Sequence, residues 1–347
     1  VHTTLLTVDD IRQLVRVVGI QILMRNLIAA LHEAFIAYDE RITVIPPRSG
    51  FSYEEPYSGL IEWMPALRRS GSVTLKMVGY HPHNPQQHEL PTIVSSIGVY
   101  DVSTGLLRGM MDGTFLTALR TGAVSALASR YLARRNSQIV GIVGAGAQAV
   151  TQLHALSTVF EVRQVNVYDL DPSVSESFLR RIAFLDIPVT VFGEAQLPNL
   201  VATADILCTA TSTPVGSPPV IPDVRTNEWL HINAIGSDFP GKTEMPYGLL
   251  RRAFVVPDFP EQALREGECQ QLTPDAIGPA LHIVMKNADA YVDRRDQLTV
   301  FDSTGWALAD AVAARFLLDL AHEHGVGREV NIQHVPVDPH NPYDFSI

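Results

Sequence analysis

Ile139-Val-Gly-Ile-Val-Gly-Ala-Gly-Ala-Gln-Ala149 decides the fold: a short β-branched run ends in Gly144-x-Gly146-x-x-Ala149 and opens into a helical pattern. Gly144 permits the tight turn, Gly146 lets the backbone approach a pyrophosphate, and small Ala149 allows close helix–strand packing, with the phosphates at the positive helix N-terminus. Such loops also occur as plain strand–helix turns, so the next strand matters. Gln164-Val-Asn-Val-Tyr168 ends at Asp169, twenty residues beyond Ala149, where a carboxylate accepts hydrogen bonds from ribose hydroxyls. The spacing predicts a dinucleotide site. The charge of Asp169 would repel a 2′-phosphate, which predicts NAD rather than NADP.

Composition narrows the class. The 347 residues are 46% hydrophobic and 18% charged, enough apolar material for two folded domains. The formal net charge is −11 and no block of Lys or Arg stands out, which argues against nucleic acid or an anionic membrane and for a small-molecule partner. Cys208 and Cys269 are the only cysteines, too few for a disulfide framework or a thiolate zinc centre. His81, His83 and His88 cluster in a Pro/Asn/Gln loop and read as solvated rather than as metal ligands, so no metal is expected. No apolar run is long enough to span a bilayer, and no basic region precedes a hydrophobic segment at the N-terminus. The expectation is a cytoplasmic enzyme. Gly-x-Ser-x-Gly and Gly-Lys-Ser/Thr motifs are missing, which removes the basis for hydrolase and kinase readings.

Residues 8–38 carry apolar residues at helical spacing, with Thr7 or Asp9 as the capping candidate. From Ile61 to Met111 short β-rich runs predict a mostly antiparallel sheet, including Val73–Val78 and Pro91–Tyr100. Thr114–Leu132 reads as a helix. Beyond Ile139 strands and helices alternate, with further strands expected at Pro188–Val191, Ile206–Thr209, Trp229–Ala234 and Phe254–Val256, as a doubly wound parallel sheet requires. Ala307–His324 is a final helix returning to the first domain. The fold class is therefore α/β: a Rossmann-type doubly wound parallel sheet over residues 121–309, plus a second, α+β domain built from 1–120 with 310–347.

Four segments put polar residues where a core would have none. Glu62 interrupts an apolar strand, and Lys76 sits mid-strand, where an unpaired buried ammonium would be costly; taken singly, each reads as a surface residue. Arg120 lies on a helix otherwise lined with small and apolar residues and calls for an anion, either a carboxylate or the cofactor phosphate. Asp238 follows a strand of the nucleotide sheet, at the carboxyl edge where ligands of such sheets bind. As a single residue it reads equally as a turn cap.

Together, Lys76-Met-Val-Gly-Tyr-His-Pro-His-Asn-Pro85, Ala118-Leu-Arg-Thr-Gly-Ala123, Gly144-Ala-Gly-Ala-Gln148 and Gly236-Ser-Asp-Phe-Pro-Gly-Lys-Thr-Glu244 resemble the ornithine cyclodeaminase and μ-crystallin family. The likeness runs over nearly the whole chain, to Phe301-Asp-Ser-Thr-Gly-Trp306. Asp-x-x-Gly-Lys-Thr-Glu resembles the cyclodeaminase branch. Gly267-Glu-Cys-Gln-Gln-Leu272, Ala147–Leu156, Asn341-Pro-Tyr343 and Thr304, where ornithine enzymes tend to be apolar, are more similar to the lysine cyclodeaminases that make pipecolate for natural products.

The resemblance implies a basic L-amino acid as substrate, a catalytic NAD and a homodimer joined through the sheet of the non-nucleotide domain. It implies that Arg48, Lys76 and Arg120 bind the α-carboxylate, that Glu62 faces the distal amine, that Thr304 lies beside the substrate, and that Asp238 is the acid/base. For the cofactor it implies Thr92, Thr121, Ala147, Gln148, Asp169, Thr211, Ile235, Gly236, Ser237, Lys242 and Ser303, alongside Gly144, Gly146 and Arg120. The implied reaction is redox-neutral: the α-hydrogen leaves to NAD⁺, the distal amine closes on the iminium carbon, ammonia departs, and the hydride returns. Ornithine cyclodeamination, a net amino-acid dehydrogenase or ketimine reductase, and a binding protein like μ-crystallin stand as alternatives.

Overall fold

The run Ile139–Val143 lies in the middle of a seven-stranded sheet in the computed structural model, which describes residues 2–344. In sheet order the strands are Val189–Val191, Gln164–Tyr168, Ile139–Val143, Ile206–Thr209, His231–Ala234, Thr299–Asp302 and Phe254–Pro257, and every pairing is parallel. Strand residues alternate between two cores. Val140, Ile142, Val165, Val167 and Cys208 meet the helices Ala147–Ser157 and Pro172–Arg181 on one face. Val143, Leu207, Ile232, Val255 and Val300 meet Leu197–Thr203 and Tyr247–Arg252 on the other. Burial on both faces explains why these strands read as continuous apolar runs.

Strand order reverses between Ile139–Val143 and Ile206–Thr209, creating the switch point at which such sheets bind ligands. The expected strands are present with ends shifted by up to two residues. Thr299–Asp302 was not expected as a strand. It inserts between His231–Ala234 and Phe254–Pro257, and its four fully buried residues carry no alternation to read.

The chain divides into two units, residues 21–38 with 117–309, and residues 1–20 with 39–116 and 310–347. Residues 21–38, expected with the first domain, group with the nucleotide unit because Phe35 and Tyr38 pack edge-on against Trp306, at centroid distances of 5.2 and 4.7 Å.

The other unit is an eight-stranded sheet, in order Arg328–Val330, Thr3–Leu6, Leu107–Asp112, Ile93–Asp101, Ser72–Tyr80, Gly59–Arg68 and Thr43–Val44, with Ser49–Tyr53 also paired to Gly59–Arg68. It is antiparallel apart from the parallel pairing of Thr3–Leu6 with Leu107–Asp112. Both terminal strands escaped the sequence reading, since three or four residues give too short a pattern. Thr7 caps the helix Val8–Val18 through a capping box with Asp10. Leu318, on the helix Ala307–His324, covers Gly109 so closely that a Cβ there would lie 2.8 Å from its Cδ1.

Candidate active site

Gly144 has φ +89°, and a Cβ on it would lie 2.6 Å from the carbonyl oxygen of Ala210, so this turn admits only glycine. Gly146 differs: a Cβ there would meet no protein atom within 4 Å. The need for a bare backbone at Gly146 is therefore one that a ligand would impose. Gly146 is the N-cap of Ala147–Ser157 and no side chain caps the first turn, which leaves that helix end suited to a pyrophosphate. Asp169 accepts from the amides of Ala145 at 2.7 Å and Asp171 at 3.0 Å, tying its carboxylate to the glycine loop. Arg181 supports the loop by donating to the carbonyls of Ala145 and Gly146. These residues fit a dinucleotide.

The segment after His231–Ala234 is held from several sides. Glu244 is fully buried and accepts from Thr209 Oγ1 (2.6 Å), the amide and hydroxyl of Thr211 (2.7 and 2.6 Å) and the Gly236 amide (2.8 Å). It thus ties the ends of two adjacent strands together. Gly236 has no room for a Cβ because the Glu244 carboxylate occupies that place. Ser237 donates to the Lys242 carbonyl, and Gln270 accepts from the Gly241 amide while donating to the same Lys242 carbonyl. Asp238 keeps 34% of its side chain exposed and accepts from Lys242 Nζ at 2.9 Å. The frame around Asp238 thus leaves part of its carboxylate accessible at the carboxyl edge of the parallel sheet.

A third segment, Ser303-Thr304-Gly305, follows Thr299–Asp302. Asp258, at the end of Phe254–Pro257, accepts from Ser303 Oγ, Thr304 Oγ1 (3.1 Å) and the Gly305 amide (2.8 Å). Gln262 donates to Thr304 Oγ1 at 3.0 Å. The buried Arg120 guanidinium lies against Gly305, 3.3 Å from where a Cβ would stand. Below this segment, Asp302 accepts from the amides of Glu268 and Cys269, and burial pushes its carboxyl up to about 7. Burial and the neighbouring Asp302 and Glu244 likewise raise Glu268 well above the usual carboxylate range.

Of the other expected cofactor residues, Ala147 and Gln148 lie in the first turn of Ala147–Ser157, and Ile235 follows the strand His231–Ala234. Thr121 donates to the Thr117 carbonyl within its helix. Thr92 lies in the other unit, where its carbonyl accepts from the His81 amide.

Arg48, Glu62 and Lys76 belong to the antiparallel unit. Met64 stands opposite Lys76 and Glu62 opposite Val78, so Glu62 and Lys76 share the sheet's inner face with buried Met64, Val78 and Ile97. The surface reading of both residues fails, because alternation points them inward. Lys76 is 1% exposed and ion-paired to Asp310 at 2.9 Å, and Arg48 pairs with Glu62 at 3.6 Å. Gly50, opposite Glu62, has no room for a side chain, since a Cβ would sit 2.7 Å from Glu62 Cγ.

The model of the ornithine cyclodeaminase/mu-crystallin family matches residues 8–325. The chain belongs to that family. The resemblance read from the four motifs is thereby borne out. An L-lysine cyclodeaminase of Streptomyces rapamycinicus is 42% identical over 345 residues, 99% of this chain and 100% of that protein. A solved lysine cyclodeaminase, described as the structural basis for recognition of L-lysine, L-ornithine and L-2,4-diaminobutyric acid, matches with a TM-score of 0.95 at 46% identity and 99% coverage of each chain. An archaeal alanine dehydrogenase dimer with bound NAD matches with a TM-score of 0.84 at 31% identity, covering 96% of this chain and 100% of that one.

Sequence reasoning missed Asp258, Gln262, Asp310 and Arg181, and it quoted Glu244 as the end of a motif without assigning it a role. Asp258 sits in Val-Pro-Asp-Phe-Pro and reads as a turn. Asp310, an acid set among Ala307, Leu308, Ala309 and Ala311 in the first turn of Ala307–His324, was the readable signal: an inward carboxylate calls for a cation.

Proposed function

We propose that this protein is an NAD-dependent L-lysine cyclodeaminase, a lyase that converts L-lysine to L-pipecolate and ammonia with no net use of cofactor. The observation that carries the reading is Asp238, accessible and ion-paired at the carboxyl edge of the parallel sheet, in a chain 42% identical to a lysine cyclodeaminase over its length. When bound, NAD supplies a hydride acceptor and donor, taking the α-hydrogen of the amino acid and returning it to the cyclic imine. Gly144, Gly146 and the first turn of Ala147–Ser157 receive its pyrophosphate, and Asp169 its ribose.

Arg48, Lys76 and Arg120 bind the substrate carboxylate. Glu62 attracts the distal ammonium, and Asp238 takes its proton so that the amine can attack the oxidised α-carbon. Asp238 then passes that proton to the departing α-nitrogen, which leaves as ammonia. Holding both ends of a flexible substrate supplies the proximity that ring closure needs.

L-Ornithine is the second substrate to test, because the solved lysine cyclodeaminase is described as recognising it and one methylene is worth only about 1–3 kcal/mol in a pocket. We also infer a homodimer. The outer face of the antiparallel sheet exposes Phe51, Ile61, Val94 and Met110, an apolar patch of the kind that supports association. Among the described residues no single helix is long and apolar enough to cross a membrane, and Cys208 and Cys269 are free thiols; we infer a reducing, cytoplasmic setting.

The test is purified protein with L-lysine, or separately L-ornithine, and sub-stoichiometric NAD⁺. Many equivalents of ammonia and cyclic amino acid per NAD⁺ are expected. Product limited to the NAD⁺ supplied would establish a net dehydrogenase instead.

A further inference from the structure

Lys76 occupies an unusual place for an ammonium. It lies mid-strand in Ser72–Tyr80, opposite Met64 on one neighbouring strand and Ile97 on the other, both buried. Bulk water barely reaches it there, at 1% exposure, and a cation in such surroundings requires a charged partner. Asp310 meets that need with both oxygens, Oδ1 at 3.0 Å and Oδ2 at 2.9 Å from Nζ. Asp310 itself is 1% exposed and stands in the first turn of Ala307–His324, where the helix dipole favours a carboxylate.

We infer that Asp310 is the positioning residue for Lys76, holding its ammonium charged and aimed so that it can bind the substrate carboxylate. The inference rests on the carboxylate-binding role proposed for Lys76. Asp310 acts through Lys76 and touches no reacting atom. Nζ donates its hydrogen bond to Oδ1, which sets its direction, and Oδ2 adds a charge contact at 2.9 Å. Loss of this negative partner would weaken what offsets burial, and burial favours the neutral amine, which binds a carboxylate poorly. A purely structural pair, tying helix to sheet, would affect stability without singling out the substrate.

The test is a double-mutant cycle on the full chain loaded with NAD: Asp310→Asn, Lys76→Met, the two combined, and Asp310→Glu as the charge-conserving change. Ammonia release is followed against L-lysine concentration, and NAD affinity and Tm are recorded for each protein. Asp310→Asn is expected to raise KM for L-lysine at least tenfold, with kcat changed less than threefold and NAD affinity unchanged. Asp310→Glu is expected to recover part of that loss.

Added to Lys76→Met, Asp310→Asn is expected to shift KM less than twofold, because its effect runs through the missing ammonium. If Asp310→Asn alone fails to fold, the comparison of the combined variant with Lys76→Met, together with Asp310→Glu, decides the matter. An unchanged KM in Asp310→Asn, or an undiminished effect in the Lys76→Met background, would overturn the inference. If the unaltered protein releases no ammonia from L-lysine or L-ornithine, the proposed function falls first and takes this inference with it.

Discussion

Lys242 Nζ donates to Asp238 Oδ1 at 2.9 Å, one helical turn's spacing along the chain, with the lysine buried and a third of the aspartate side chain exposed. The cation therefore orients the carboxylate from the protein side while the accessible part faces outward. Asp238→Asn keeps the shape and loses the proton acceptor. Turnover is expected to fall by roughly 10²–10⁴-fold, with the NAD dissociation constant within about threefold. Steady-state ammonia release and NAD titration check this, and retained turnover would remove Asp238 from the mechanism.

The two loop glycines are expected to fail differently. Gly144→Ala forces an alanine into a positive-φ turn against the Ala210 carbonyl, costing about 1–2 kcal/mol for the backbone alone, so Tm should drop. Gly146→Val meets no protein atom near its Cβ and should fold normally while weakening NAD at least about tenfold. Equal NAD affinity in Gly146→Val and the unaltered protein would contradict the pyrophosphate assignment.

Glu244→Ala would strip acceptors from Thr209, Thr211 and Gly236 at once. Unsatisfied buried donors cost about 1–3 kcal/mol each, so urea unfolding should show a loss of about 3 kcal/mol or more. A change under about 1 kcal/mol would mean that water replaces the carboxylate without penalty.

His231 makes stability depend on pH. Its ring is fully buried between Thr299 Oγ1 at 2.8 Å and Asn233 Oδ1 at 3.3 Å, and burial lowers its pKa to about 3. Between that value and the ordinary value near 6.5, the unfolded chain binds a proton that the folded chain refuses. Stability therefore falls as pH drops through this window, by up to about 1.4 kcal/mol per unit for one such group. His154 and His282, lowered by burial to about 4, act in the same direction. Asp302, raised to about 7, opposes them, since its folded form holds a proton that the unfolded form has lost. In urea unfolding at pH 5 and pH 7, His231→Gln should lose less stability on acidification than the unaltered protein. An identical loss in both would show that His231 does not contribute.

Much of this architecture was legible because its signals are local. Gly144, Gly146 and Asp169 announce a nucleotide fold by spacing, and Ala307–His324 by period. Asp238 was placed by following the strand before it. What escaped depends on contacts far apart in sequence. Lys76 and Asp310 are 234 residues apart, so Lys76 could be flagged as costly but not matched. Thr304 was singled out by resemblance, yet its supports Asp258 and Gln262 lie just past another strand and on a short helix, Pro260–Glu266, and carry no motif. Thr299–Asp302 was missed because a short strand buried on both faces lacks alternation.

The central claim is that one hydrogen leaves the α-carbon of lysine and returns to the same carbon after ring closure. L-Lysine deuterated at the α-carbon, incubated in ordinary water with sub-stoichiometric NAD⁺, tests it directly by mass spectrometry and NMR of the pipecolate. The account predicts that deuterium stays at C2 over many turnovers per NAD⁺. Pipecolate carrying solvent hydrogen at C2, or formed only in proportion to the NAD⁺ supplied, would contradict it.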